Sequence, residues 1–318
     1  VFGKRCGREK WCMMFDVVGF GALNMDKLYR VSKIAAAEEE SFIKSFKEAC
    51  GGSAANTIVG LARLGLKTGY IGKVARDREG EKLLEAFKQE GVNTEAVVIS
   101  KTGKSGIVLG FVDDKGDRAL YVDPGVNDTL SFEEINVEYA SKTRFLHITS
   151  FIGEKPFEAQ KKLVEKLPEN VKLTLDPGEL YARKGLRGLS VFLDRAFAVL
   201  PNAGELKLLT GESDYRKGAR KLLQEGVEIV AVKLGAKGCY VTDGKNEHLI
   251  PAFKVEVVDT TGAGDAFCAG FIYGLATNKP LKECGRIGNF VASRCIIQTG
   301  ARNGLPTLVE LKQTMRLE

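Results

Sequence analysis

From Phe15 to Lys233, short runs rich in Val, Ile, Leu and Phe alternate with longer amphipathic segments. The runs at 15–21, 68–74, 95–99, 144–149, 171–176, 196–200 and 228–233 predict strands. The intervening 53–64, 78–90, 156–167, 202–210 and 214–225 predict helices. This alternation leaves few topologies, because a strand that returns through a helix pairs in parallel with its predecessor. Parallel strands are covered on both faces and read as near-continuous apolar runs, as these do. The expected architecture is α/β, with a mainly parallel central sheet between two helical layers. A short β segment at 237–257, ending near Val258, precedes helices at 264–276, 281–298 and 307–316.

Two stretches, 27–47 and 104–123, break the rhythm. The second reads as a hairpin, Gly106–Val112 and Asp117–Val122 around the turn Asp113-Asp114-Lys115-Gly116. Both leave the sheet after a core strand and return to it. They predict a small accessory β-sheet over the strand ends, where open α/β sheets bind ligands. Such a lid excludes water from a reaction.

Composition excludes several classes. Of 318 residues, 44% are hydrophobic and 28% charged, which is a globular balance. No run of 18 apolar residues marks a transmembrane helix. The net charge is +6, and Lys4, Arg5, Arg8 and Lys10 against Glu9 place half of it in the first twelve residues. The nearly balanced remainder argues against nucleic-acid binding, which needs a basic stripe. Seven scattered cysteines without a C-x-x-C point to a reducing, cytoplasmic compartment. With two distant histidines, His147 and His248, a His/Cys zinc site or a histidine triad is not expected. His147 is expected to pack at a strand end. Residues 1–12 are basic and aperiodic, so they are read as an extension, with the native start expected at Met13 or Met14 of a domain spanning 13–318.

Two glycine motifs fail. Gly103-Lys104-Ser105 resembles the end of a P-loop, but Val98 stands where its first glycine belongs. Gly19-Phe20-Gly21 lacks the third glycine and the helix of a dinucleotide fingerprint. That removes a nicotinamide-dependent oxidoreductase.

The strongest motif is Asp259-Thr260-Thr261-Gly262-Ala263-Gly264-Asp265-Ala266-Phe267, at the start of a predicted helix. Small residues at a helix N-terminus let unpaired backbone N–H groups converge on an anion. That arrangement suits a transferring phosphoryl group, with Asp265 beside it to accept the proton of an attacking hydroxyl. An isolated Gly-x-Gly-Asp is as readily a capped glycine turn. A second motif lowers that reading: Gly51-Gly52-Ser53-Ala54-Ala55-Asn56 opens another helix, where backbone and Asn56 can approach a polyol.

The two strings resemble the signatures of the ribokinase (PfkB) family of carbohydrate kinases in order and separation. Further segments resemble the family: Gly21-Ala22-Leu23-Asn24-Met25-Asp26, Pro124-Gly125-Val126-Asn127-Asp128, Pro201-Asn202-Ala203-Gly204-Glu205 and Lys233-Leu234-Gly235-Ala236-Lys237-Gly238. The likeness spans about residues 15–316. It implies a ribokinase-like three-layer α/β/α fold with a β-sheet lid, and an ATP-dependent kinase. By resemblance the base is Asp265 and the anion hole is Gly262, Ala263 and Gly264. Sugar contacts fall on Asn24, Asp26, Gly51, Gly52 and Asn56. Nucleotide contacts fall on Asn202, Lys233, Gly235, Gly238 and Asn289, with magnesium held through water near Glu205. A monovalent cation, potassium, is implied at Asp259 and Thr261, with the loop 296–301 adding oxygens. A homodimer through the lid is implied too.

The residue chemistry agrees with these roles. Asp26 with Asn24 and Asn56 gives the polar cluster that a polyol needs. Asn202 and Glu205 lie three apart at one helix start and share a face, where Asn202 can also cap. Lys233 would be a costly buried lysine unless it meets an anion, such as a phosphate. The acceptor is read as a sugar hydroxymethyl, with a ribonucleoside as the alternative. A sugar- or nucleotide-binding protein without activity is the alternative of another class, and it would be expected to lack the base. Thr149-Ser150-Phe151-Ile152-Gly153 carries no acid before Glu154, where ribokinases place a sugar-binding glutamate. His147-Ile148-Thr149 and Asp176-Pro177-Gly178 are more similar to archaeal nucleoside and ribose-phosphate kinases of the family. Phe42, with Phe46 or Tyr121, is placed in the lid to stack on a base or cover a sugar.

Overall fold

A computed structural model describes residues 15–316. The expected extension 1–12 and the start at Met13 or Met14 lie outside the described residues. Among those described, thirteen strands form two sheets. In chain order they are β1 Phe15–Phe20, β2 Asn24–Val31, β3 Ile43–Gly51, β4 Thr68–Ala75, β5 Val97–Ser100, β6 Gly106–Val112, β7 Arg118–Asp123, β8 Thr143–Thr149, β9 Lys172–Asp176, β10 Ala196–Val199, β11 Ile229–Lys233, β12 Cys239–Thr242 and β13 Glu247–Ile250.

The large sheet runs β13-β12-β11-β10-β9-β8-β1-β4-β5. It is parallel from β11 to β5, and the antiparallel β12 and β13 finish one edge. Strand alternation feeds two cores. In β11, Ile229 and Ala231 face one apolar cluster, while Val230 and Val232 face the other. Helices Ser53–Arg63, Ala263–Ala276 and Leu281–Cys295 cover the first face. Helices Glu154–Lys166, Ala203–Thr210 and Tyr215–Gln224 cover the second. Each fully buried Leu, Ile or Phe contributes about 1.5–3 kcal/mol to this sandwich. The chain builds outward from β1 in one direction through β4 and β5, and in the other through β8. The order therefore reverses beside β1, which is where such sheets open a crevice.

The small sheet runs β3-β2-β6-β7 and projects from the carboxyl ends of β1 and β5. Its strands reach further toward the core than 27–47, so Asn24, Asp26 and Gly51 lie on lid strands. Asp26 registers with Ala49, Val108 and, across β6, Val122. Tyr29, three residues on, points to the opposite face. There it packs on Phe46 and Phe111, and Phe111 meets Tyr121. Phe46 and Tyr121 therefore do not cover this chain's own acceptor cluster, contrary to the expectation; Leu28, Leu120 and Val122 share the Asp26 face.

A second correction concerns the segment before the glycine motif. The strand ends at Ile250, and 251–258 joins no ladder. The chain leaves β13 at Pro251 and does not run back along that strand's open edge. Instead, Val258 and Asp259 donate their N–H groups to the Ile296 carbonyl at 2.8 and 3.1 Å.

Candidate active site

The helix Ala263–Ala276 starts where the chain leaves this unpaired segment. Gly262 adopts φ 77° against Ala301, a position where a β-carbon would be both strained and blocked. The turn presents Ala263, Gly264 and Asp265 as the first helical residues. Of the three amides expected to form an anion hole, that of Ala263 donates to the Thr260 carbonyl at 3.2 Å. Those of Gly262 and Gly264 have no partner among the described residues.

Asp265 is gripped from the neighbouring helix Ser53–Arg63. Ser53 Oγ donates to its Oδ1 at 2.6 Å, and Asn56 Nδ2 donates to its Oδ2 at 2.8 Å. Burial raises its pKa to about 6, against the lowering effect of Ser53 and Asn56, while Asp176 raises it and Lys233 lowers it. Asp26 is likewise pushed up to about 6 by burial, opposed by Arg302 and assisted by Asp265. Gly51 leaves room for Asp26, whose carboxylate would collide with any side chain there. Gly52, at φ 103°, is closed against the Ala22 carbonyl. Asn24 accepts from Asn127 Nδ2 at 3.1 Å, and Asn127 also pins the turn after β1 through Leu23 N–H and O. All five expected acceptor residues thus gather on one side of Asp265.

On its other side lies a cavity of about 700 Å³, of small-molecule size. It is lined by Asn202, Glu205, Lys233, Gly235, Gly238 and Asn289, every residue expected at a nucleotide, and by apolar Phe253, Val257 and Ile296. Asn202 and Glu205 form a reciprocal cap, 2.8 Å to Asn202 Oδ1 and 2.7 Å to Glu205 Oε2. Burial and the nearby Asp176 raise the Glu205 pKa. Asn289 spends its amide donors on the Ile250 and Pro251 carbonyls. Lys233 meets Asp176 Oδ2 at 2.6 Å. Burial opposes its charge, yet Asp176, Cys268 and Glu205 raise its pKa. Its Nζ lies 3.5 Å from where a β-carbon on Gly264 would sit, beside the unpaired amides. Asp259 Oδ1 accepts from Thr261 N–H and Oγ1, and Oδ2 from Gly300 N–H at 2.8 Å, which ties the two expected cation loops together.

Three residues of the arrangement were not singled out from sequence. Ser53 sat unassigned inside a motif. Asp176 marked only a turn. Arg302, one residue past the expected cation loop, donates from Nε to Asn56 Oδ1 at 2.8 Å and from Nη2 to the Gly51 carbonyl at 3.4 Å. No local pattern announces it. His147 lies fully buried within β8, bonded to Thr174 Oγ1, and burial lowers its pKa to about 4.

A lidded crevice at strand carboxyl ends, with unpaired amides beside a carboxylate, belongs to the class of small-molecule phosphotransferases. Comparison with known proteins agrees. The pfkB family carbohydrate kinase profile matches residues 14–308. An uncharacterized sugar kinase of Archaeoglobus fulgidus is 48% identical over 255 residues, covering 79% of this chain and 100% of the relative. An ATP-dependent ribose-1-phosphate kinase of Halopiger xanaduensis is 32% identical, covering 91% and 95%. The crystal structure of a ribokinase from Thermotoga maritima matches with a TM-score of 0.85 at 25% identity, covering 95% and 100%. The chain belongs to the pfkB family of carbohydrate kinases.

Proposed function

We propose that Asp265 takes the proton of a sugar hydroxymethyl as that oxygen attacks the γ-phosphoryl group of ATP. The observation that carries this reading is the position of Asp265. It stands between the acceptor cluster (Asn24, Asp26, Asn56) and the nucleotide-sized cavity, bonded to the acceptor-side helix and lining the cavity. The Gly262 and Gly264 amides and the Lys233 ammonium stabilise the charge on the transferring group. Gly235 and Gly238 shape the loop against the nucleotide. The Asp26 face of the lid covers the sugar and keeps water out.

Magnesium enters with ATP. The residues fit it: Glu205 and Asp176 line the cavity, and Asp176 Oδ1 is buried without a partner. Among the described residues no group of three or more His, Cys, Asp or Glu converges. One or two carboxylates plus water is the usual protein share of a magnesium–phosphate site. When bound, the ion neutralises phosphate charge. Potassium is proposed at the Asp259–Thr261 loop.

A second copy of the chain is proposed to meet the lid, supported by exposed Leu120 (49%) and Val122 (46%) on the Asp26 face. Sedimentation at micromolar protein should show a dimer, and a monomer would remove this contact. Five unpaired cysteines among the described residues support a reducing, cytoplasmic compartment. No helix of the described residues is long and apolar enough to cross a membrane.

Coupled ADP release with ATP and magnesium, with and without potassium, tests the reading across ribose, fructose, 2-keto-3-deoxygluconate, adenosine, cytidine and inosine. Turnover of a free sugar is expected, because Phe46 and Tyr121, which would stack on a base, lie on the lid face opposite Asp26. Preference for a nucleoside would replace the sugar. Silence on all of them would direct the search to phosphorylated or rarer sugars.

A further inference from the structure

An asparagine amide can present either its oxygen or its nitrogen to a neighbour. At Asn56 the choice matters, because only the nitrogen can donate to the ionised Asp265. Arg302 makes that choice. A guanidinium donates and never accepts. With Arg302 Nε held 2.8 Å from Asn56, only the amide oxygen fits there, so Nδ2 turns to Asp265 Oδ2, 2.8 Å away. The reversed amide would set N–H against guanidinium and oxygen against carboxylate, two repulsive contacts in a site of low dielectric.

We propose that Arg302 is a positioning residue, which locks the Asn56 amide so that it donates permanently to the Asp265 carboxylate. The proposal rests on the reading of Asp265 as base. Arg302 is itself anchored by the Gly51 carbonyl and lies over the Phe87 ring at 5.8 Å. Ser53, the other partner of Asp265, has a rotatable hydroxyl and can donate or accept as the proton arrives. Asn56, locked, cannot. One partner thus follows the proton while the other holds the carboxylate in place. The charged groups around Asp265 are Asp26 from β2, Asp176 from β9, Lys233 from β11, Glu205 from the helix Ala203–Thr210 and Arg302 itself, with Ser53, Asn56, Tyr70, Cys268 and Cys295 as the neutral neighbours. Loss of the Asn56 donor favours the protonated acid and shifts the acid limb of the rate profile upward.

The test compares Arg302→Met, which removes donor and charge, with Arg302→Gln, which restores a donor without charge. Both are measured for kcat and kcat/KM against pH, and again in an Asn56→Ala background. In Arg302→Met, kcat at pH 7 is expected to fall ~10-fold, and the acid limb to rise by about 1 pH unit. Arg302→Gln is expected to recover part of that loss. In the Asn56→Ala background, either change is expected to add less than about 3-fold, because the residue it acts through is gone. An unmoved acid limb in Arg302→Met, equal damage from Met and Gln, or a full effect without Asn56 would each overturn the proposal. If Arg302→Met does not fold, the Gln variant and its Asn56→Ala partner carry the comparison. Asp265→Asn is run alongside: an inactive Asp265→Asn with an unmoved Arg302→Met profile sinks only this proposal, whereas an active Asp265→Asn sinks the assignment of the base.

Discussion

Asp265→Asn is expected to lower kcat by at least ~10² and to leave a more stable protein at pH 8. The first effect follows from the loss of the carboxylate bonded to both Ser53 and Asn56 on the acceptor side of the cavity. Asparagine nearly preserves the shape. Its oxygen can accept from Asn56 while its nitrogen donates to Ser53, so ligand binding is expected to survive. The second effect follows from burial. In the folded chain the Asp265 pKa is about 6, above its ordinary 3.8, because burial disfavours the charge. A folded pKa above the unfolded one gives stability that is present below about pH 4 and lost as pH rises through 6. A shift of roughly two pKa units corresponds to about 3 kcal/mol, and the open cavity reduces that to about 1–3 kcal/mol. Melting of parent and variant should therefore diverge at pH 8 and converge near pH 4. The same ionisation is expected to set the acid limb of kcat/KM near pH 6, shared with Asp26, whose carboxyl is raised into the same range and repels it. Near-normal turnover in Asp265→Asn would remove it as base. Lower melting of the variant at pH 8 would show that the hydrogen bonds of the carboxylate outweigh its burial.

Periodicity made the core legible. β1 ends at Phe20 against an expected 21, and the helix Arg78–Gln89 against an expected 78–90, because alternation and amphipathicity are local. Pairing is not local. Val255-Glu256-Val257-Val258 has strand composition, but it joins no ladder, and its end docks on the Ile296 carbonyl instead. The lid faces follow from strand parity. Asp26 and Tyr29 are an odd number of residues apart on one strand, so residues packed on Tyr29 cannot look at the Asp26 site.

Motif residues cluster at the site because each motif is a turn that exposes its own backbone, as with Gly262 at φ 77°. The partners of those motifs were hidden, since they arrive from elsewhere in the chain. Arg302 meets Asn56 across 246 positions, and Asp176 meets Lys233 across 57. Lys233 shows what sequence reasoning does supply. A buried strand lysine demands an anion, and the demand was legible; that a protein carboxylate meets it was not.

That pair gives the other large effect. Lys233 and Asp176 are 12% and 7% exposed and 2.6 Å apart, so each is the principal counter-charge of the other. Removing one partner of a buried pair costs about 3–5 kcal/mol, because the remaining charge is left in a medium that solvates it poorly. Lys233→Met strands Asp176, whose Oδ1 already lacks a partner and whose Oδ2 would keep only the Cys268 thiol at 3.3 Å. Asp176→Leu strands the ammonium beside the Gly264 amide. Both single variants are expected to lose roughly that much in denaturant unfolding, and the double variant Lys233→Met/Asp176→Leu to recover most of it. Turnover separates the structural function of the pair from its catalytic one. If the Lys233 ammonium or the Asp176 carboxylate serves the phosphoryl group and its magnesium, the double variant regains stability but stays at least ~10-fold slow. Recovery of both together would make the pair structural only, leaving the phosphoryl charge to the helix amides and to magnesium held near Glu205.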